Sequence, residues 1–323
     1  MNIIRRGFGT LILTLWVCAA ALAQDYPNKP VRIVVPYPPG GATDILARQL
    51  STRLGEQLGQ SIVIDNRPGA GGGIGTAIVA KAAPDGYTIV FGNLGPNAIN
   101  SSIYPNLSYD AEKDFAPICV VVNTPLILVV RPQSGIKTLG ELIALGKAQP
   151  GKLFYGSVGI GAASHVASEL FNIVAGTKFM HVPYKGSAPA SLGAIAGEVT
   201  MYFGTGPEMT THIKSGVLRA LAISTSSRSP AMPDLQTVAE AGLPGFAVDV
   251  WFGLLAPAGT PRPIVDKVNR AVGAVLQNPE MRTRLIEMNA VPAFNSPDEF
   301  SAQIKADIVK WGKVVREANI KPE

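Results

Sequence analysis

The chain has 323 residues, of which 47% are hydrophobic and 16% charged, so a charge-rich disordered chain is excluded and two domains are expected at roughly 150 residues each. Its formal charge of +5 is spread over isolated Lys and Arg. A nucleic-acid binder would gather them into a stripe with interleaved aromatics, so no nucleic-acid partner is expected.

At the N-terminus, Arg5 and Arg6 precede an apolar stretch, Leu11 to Leu22, that ends in Ala21-Leu22-Ala23, the small-x-small pattern of a signal-peptidase site. Export with cleavage after Ala23 is the expectation. At about 12 residues the stretch is too short for a membrane span of roughly 20. Arg5-Arg6-Gly7-Phe8 has some likeness to a twin-arginine signal, but Ile4 stands where Ser or Thr is usual, which favours the general secretory route. Val17 is bulkier than the residue that usually precedes a lipidated Cys, so Cys18 is read as part of the leader. Cys119 is then the only thiol of an exported chain and has no internal disulfide partner. Stability must come from the core.

Short β-branched runs alternate with stretches of helical spacing, the pattern of an α/β architecture with parallel strands. Val31 to Val35 reads as a strand and Asp44 to Leu58 as a helix with Leu46, Leu50, Leu54 and Leu58 on one face. Strand Ser61 to Asp65, helix Ile74 to Ala83 and strand Tyr87 to Gly92 complete a βαβαβ unit. A second unit follows Pro150-Gly151: strand Leu153 to Gly156, helix Ser164 to Ala175, strand Phe179 to Val182, helix Pro189 to Ala196 and strand Thr200 to Phe203. Between the units the apolar stretch Ile118 to Arg131 would carry the chain across, and Leu218 to Ser224 would return it. Strand Val250 to Ala256 and helices Pro263 to Leu276 and Pro297 to Ala318 would rejoin the first unit. The expected lobes are therefore discontinuous, with residues 24–121 and 225–323 in one and 122–224 in the other. Hinges are expected near Val121 to Thr124 and Ala222 to Thr225.

Ligands of open parallel sheets bind beyond the carboxyl ends of the strands. Each unit has one Gly-rich strand-to-helix loop there, Pro36 to Asp44 in the first and Gly156 to His165 in the second. Glycines admit close backbone approach, and free N–H groups at a helix start favour an anion. Each loop is a candidate half of an anion clamp. The alternative is that Thr43 and Ser164 are ordinary N-caps and the glycines only turn the chain.

Five segments carry a family resemblance: VPYPPGGATDILARQL from Val35, NRPGAGGGIGTAIVAKAAPDGYTI from Asn66, YGSVGIGAASHVASELF from Tyr155, HVPYKGSAPA from His181 and WFGLLAPAGTP from Trp251. In order and spacing they resemble the periplasmic solute-binding receptors of the tripartite tricarboxylate transporter family, the Bug proteins. The resemblance implies a type II periplasmic binding fold, α/β, with two lobes of mainly parallel sheet and a ligand cleft between them. It implies a small organic carboxylate as ligand, either a di- or tricarboxylate or an aromatic acid, delivered by a monomeric receptor to large and small membrane subunits, with no cofactor or metal. For the site it implies Tyr37, Pro39, Gly40, Gly41, Ala42, Thr43 and Asp44 from the first loop. From the second it implies Ser157, Gly159, Gly161, Ala162, Ala163, Ser164 and His165, with Asn93, Tyr184, Gly204 and Thr205 completing the pocket. Two departures stand out. Ala162 replaces the Ser of many relatives, and Gly204-Thr205-Gly206 replaces an acidic or Asn-containing segment, which weakens the case for an ammonium-bearing ligand.

Other readings carry less. Gly69 to Gly75 lacks the last Gly of GxGxxG, so it is read as a structural loop. Tyr155 replaces the leading Gly of GxSxG, and Ser134 to Lys137 matches SxxK without its partner motifs. A secreted serine hydrolase using Ser157 as nucleophile and His165 as base remains the alternative function. His165, His181 and His212 show no metal-ligand spacing. Lys185 is read as a solvated loop residue, Trp251 as core and Arg67 as a loop anchor.

Overall fold

The structure is a computed structural model and describes residues 26–322. The expected leader, with Arg5, Arg6, Cys18 and Ala23, lies outside the described residues. The first βαβαβ unit is β1 (Val31–Val35), α1 (Ala42–Leu58), β2 (Ile62–Asn66), α2 (Gly73–Ala80) and β3 (Thr88–Asn93). β1 runs parallel to β2 on one side and to β3 on the other. Leu46, Leu50, Leu54 and Leu58 of α1 are all buried, as their four-residue spacing requires, and Gly59 at φ +72° ends the helix in the left-handed conformation glycine tolerates.

A π-helical turn (Gly95–Ile99) and the short α3 (Asn100–Ile103) lead into β4 (Phe115–Val130), a single strand of 16 residues. Then come α4 (Leu139–Ala148), β5 (Phe154–Ser157), α5 (Ala163–Ala175), β6 (Met180–Pro183), α6 (Ser187–Ala196), β7 (Met201–Thr205), α7 (Gly206–Lys214) and β8 (Arg219–Ile223). β5 is parallel to both β6 and β7, mirroring the first unit. β9 (Asp249–Pro257), α8 (Arg262–Gln277), α9 (Pro279–Glu287), β10 (Val291–Pro292) and α10 (Pro297–Glu317) complete the chain.

The strand path is 2-1-3-9-4-7-5-6, with β8 and β10 also on β4. Each unit keeps a parallel centre, but every pairing made by β4 and β9 is antiparallel. A strand that leaves one lobe and enters the other, and the strand that returns beside it, must run in opposite directions. β4 pairs with β9 as far as Pro125↔Asp249 and with β7 from Leu126↔Thr205. The first crossing therefore lies at 125–126, a few residues beyond the expected position.

The second crossing is displaced further. Residues 225–248 remain beside the second lobe, where Val238 N donates to Ile223 O at 2.8 Å and Phe246 stacks on Phe203. The chain returns only at Asp249. No regular element occupies 225–248, so periodicity could not assign it to either lobe. Trp251 is core as expected: it is buried edge-on to Phe300, and its indole donates to Asp307 Oδ2 at 2.9 Å.

Ser224 ties both crossings together. Its hydroxyl accepts from Leu126 N at 2.9 Å and donates to Val248 O, and the residue is fully buried. Ser224→Ala would leave a buried N–H and a buried carbonyl without this partner. The expected loss is about 1–3 kcal/mol of unfolding free energy, read from urea denaturation; an unchanged midpoint would refute the tie.

Candidate functional site

Four helices begin at the space between the lobes, and none is capped by a side chain. The cap positions are Gly41 of α1, Ala162 of α5, Gly186 of α6 and Thr205 of α7. Elsewhere α4 and α10 carry full capping boxes (Thr138 with Glu141, Ser296 with Glu299), and α9 is capped by Asn278. The first N–H groups of a helix have no intrahelical acceptor. At Ala42, Thr43, Ala163 and Ser164 they therefore face the cleft as free donors with the helix dipole behind them.

They surround an enclosed cavity of about 40 Å³. Tyr37, Ala42, Thr43 and Asn93 line it from the first lobe; Ala162, Ala163, Ser164, Ser187, Tyr202 and Glu208 line it from the second. Leu126, Val250 and Phe252 of the crossing strands form its floor. Asn93 Nδ2 lies 3.4 Å from Thr43 Oγ1, and Asn93 Oδ1 accepts from Gly95 N at 3.0 Å. No Lys or Arg lines the cavity among the described residues. Peptide dipoles at the helix starts are the attraction the lining offers an anion.

A larger recess of about 510 Å³ lies outside it, lined by Tyr37, Gly69 to Gly72, Gly159, Tyr184 and Lys185 among others. The lobes touch at the outer recess, where Tyr104 donates to Ile160 O at 3.2 Å. A Cβ on Gly41 would sit 3.1 Å from Ser187 Oγ of the opposite lobe. The cleft is closed.

Residues 46–320 match the tripartite tricarboxylate transporter family receptor. The chain belongs to this family. BugT of Bordetella pertussis is 38% identical over 97% of this chain and 96% of its own. R. palustris Rpa4515, solved with adipate, is 38% identical with a TM-score of 0.90 over 93% of this chain and 100% of its own. MatC from Rhodopseudomonas palustris, solved with bound malate, is 35% identical with a TM-score of 0.85 over 90% of this chain and 100% of its own. The type II periplasmic binding fold follows, and the chain is a solute-binding receptor rather than an enzyme. Receptors of this family are periplasmic, and among the described residues no helix is long and apolar enough to cross a membrane.

In this receptor the sequence-expected residues separate into groups. Tyr37, Ala42, Thr43, Asn93, Ala162, Ala163, Ser164 and Thr205 line the inner cavity, and Gly41 borders it. Gly159 and Tyr184 lie at the outer recess. Pro39 and Gly40 are exposed to solvent. Gly204 is turned toward Met209 inside the lobe. The Asp44 carboxylate is occupied by Arg48 Nε, Gly40 N and Asn66 Nδ2 at 2.9 to 3.0 Å. Burial opposes its ionisation, but these bonds hold its pKa below the usual carboxylate range. Neither Thr43 nor Ser164 is an N-cap; the Ser164 hydroxyl instead accepts from Val158 N at 3.2 Å.

Ser157 and His165 sit behind the second loop and away from the cavity. Ser157 is fully buried, with its Oγ 2.6 Å from His181 Nε2 and accepting from Gly159 N at 3.1 Å. His165 Nδ1 accepts from Gly161 N at 3.3 Å, and its ring stacks on His181 at 3.9 Å. Burial keeps both imidazoles neutral: it lowers His165 to about 3, helped by repulsion from His181, and His181 to about 4. Ser157 thus has a histidine partner other than the one the hydrolase reading assumed, and no substrate can reach the pair.

Ser187, Tyr202 and Glu208 escaped the sequence reading. Gly204-Thr205-Gly206 carries no acid, as the sequence reading noted, but Glu208, the third residue of α7, lines the cavity just beyond it. Its signal was Thr205-x-x-Glu208, the spacing of a capping box; the acid meets the Thr205 backbone N–H as well as Tyr202 and Ser191. Ser157→Ala should reduce stability by about 1–3 kcal/mol, because it leaves a buried imidazole nitrogen unpaired. Urea denaturation with an unshifted midpoint would contradict that structural assignment.

Proposed function

We propose that the inner cavity binds a small organic carboxylate, and that the receptor passes it to the membrane subunits of a tripartite tricarboxylate-type transporter. The observation that carries this reading is the convergence of uncapped helix N-termini on a cavity without Lys or Arg. Free N–H donors with aligned dipoles suit an anion small enough for backbone approach. The adipate and malate bound by Rpa4515 and MatC support the same ligand class. In this reading Ala42, Thr43, Ala163 and Ser164 hold a carboxylate through their backbones, with Thr43, Asn93 and Thr205 offering side-chain contacts. The mature receptor, cleaved after Ala23, acts in the periplasm as a monomer.

The energetics are sufficient. Micromolar affinity needs about 8 kcal/mol, a hydrogen bond to a charged group contributes about 1.5–3, and a partly buried helix terminus up to about 2. Three or four such contacts reach the total after ordering costs. A thermal-shift screen of aliphatic di- and tricarboxylates, aromatic acids and amino acids identifies the ligand, since saturation at a hundredfold excess adds about 2.7 kcal/mol. In calorimetry, Gly41→Val should weaken the best acid by about ten- to hundredfold, the equivalent of one lost charge-assisted hydrogen bond. Unchanged affinity in a variant of unchanged circular dichroism would exclude α1 as part of the clamp.

Each lobe presents only part of the donor set, so the ligand gains its second set of contacts on closure, and that difference shifts the equilibrium toward the closed form. Motion about Pro125/Leu126 and Val248/Asp249 is the corresponding hinge. Small-angle scattering should give a smaller radius of gyration on saturation with a screened acid; superimposable curves would exclude closure on binding.

A further inference from the structure

Glu208 is buried in the wall of the inner cavity, opposite the α1 terminus and within reach of anything held there. Its neighbours determine how its proton is placed. Ser191 Oγ lies 2.9 Å from Ser187 O, a carbonyl that only accepts, and it also contacts Glu208 Oε1 closely. A hydroxyl has one proton. With Glu208 ionised, the single Ser191 proton must be shared between Ser187 O and Glu208 Oε1; with Glu208 protonated and donating to Ser191, each contact has a proton of its own. Tyr202 then donates to the carboxyl from 2.9 and 3.1 Å, and Thr205 Oγ1 lies 3.4 Å from Oε2.

From this geometry we infer that Glu208 is the specificity-determining residue of the cavity: as a neutral acid it admits a carboxylate, and when ionised it excludes one. The inference rests on the carboxylate reading above. Burial is the largest influence on Glu208 and raises its pKa to about 7, even against the hydroxyls of Ser191 and Tyr202 and the backbone N–H and hydroxyl of Thr205.

The surrounding charges leave this switch to Glu208. From α6 it meets only Ser187 and Ser191, and from β7 Tyr202 and Thr205. From the first lobe Tyr37, Thr43 and Asn93 face the same space. Tyr37 and Tyr202 are the other titratable groups of the wall, and burial keeps both phenols protonated. Asp44 is turned to Arg48 and Asn66, His165 to His181, and His212, one turn further along α7, makes no hydrogen bond to Glu208 among the described residues. A carboxylate bound beside Glu208 raises its pKa further, so binding above neutral pH must take up one proton. An ammonium group gains no counter-ion in the neutral state, which disfavours amino acids.

The test is calorimetry with adipate and malate between pH 6 and 8.5, in buffers of different ionisation enthalpy. For wild type, affinity should fall toward tenfold per pH unit above about 7, with proton uptake approaching one at pH 8.5. Glu208→Gln preserves the donor to Ser191 and the acceptor for Tyr202 but cannot ionise, so both the fall and the uptake should vanish. A pH-independent wild-type affinity, or an E208Q variant with the same fall and uptake, overturns the inference. An E208Q variant that folds by circular dichroism yet loses binding at pH 6 also overturns it, since the ionised form would then be the one required. Failure of wild type to bind either acid or any other carboxylate at every pH would instead count against the carboxylate reading itself.

Discussion

The convergence of several helix N-termini without side-chain caps on the cleft is the feature on which the rest of this structure depends. Away from the cleft, α4, α9 and α10 satisfy their first N–H groups with Thr138, Asn278 and Ser296. At α1, α5 and α6 the corresponding positions hold Gly41, Ala162 and Gly186, whose side chains offer no acceptor. Such ends are stable only if something else meets the donors, so the fold must bring them to a common point. Parallel βαβ units do this within each lobe, because each helix begins at the carboxyl end of a strand. Between lobes it is done by β4, shared by both sheets, with Ser224 bonded to both crossing segments.

Behind the second loop the buried titratable groups are kept neutral, whereas in the first loop the buried Asp44 stays ionised against Arg48. An imidazolium behind the first turn of α5 would oppose the positive end of that helix dipole, and burial holds His165 and His181 in the neutral form. Neutral rings accept as well as donate, which lets His165 fix Gly161 while His181 engages Ser157, and Ser157 in turn fixes Gly159. The second loop is rich in glycine yet pinned by three side chains, counting Ser164 on Val158. Flexible composition and a fixed donor geometry are compatible because Ser157 and His165 hold the loop from outside the ligand space, and Ser164 holds it from the cavity wall.

How much of this was legible in the sequence depended on the range of the interaction. The βαβαβ units, the leucine face of α1 and the long apolar β4 follow from local periodicity, and the two Gly-rich loops mark where the helices begin. The five segments of family resemblance carried the fold and the receptor family. The orientation of Ser157 was not legible: it depends on β5 lying beside β6 with Ser157 and His181 in neighbouring register, and pairing partners are not written in either strand. Glu208 was hidden for a similar reason, because α7 opens with Gly206-Pro207, which reads as a turn, and only the fold of the second lobe directs its third residue into the cavity. Residues 225–248 have no period at all, so their attachment to the second lobe appears in tertiary contacts such as the hydrogen bonds of Val238 and Val248 and the stacking of Phe246 on Phe203.

The glycines have a second function that motif spacing does not express. Gly41 approaches Ser187, Gly71 approaches Ile160 O, and Gly161 approaches Asn100, each across the seam between the lobes. A Cβ on Gly71 would run into the Ile160 carbonyl and one on Gly161 into the Asn100 amide, so either would prop the cleft open. The run from Gly69 to Gly75 is therefore both scaffold, as its sequence suggested, and part of the closing surface. Close approach at the seam brings the two lobes together around the small inner cavity. In that low-dielectric space each peptide donor acts more strongly on a carboxylate than it would in an open cleft, so the same residues that permit closure also set how tightly the closed form can hold an anion.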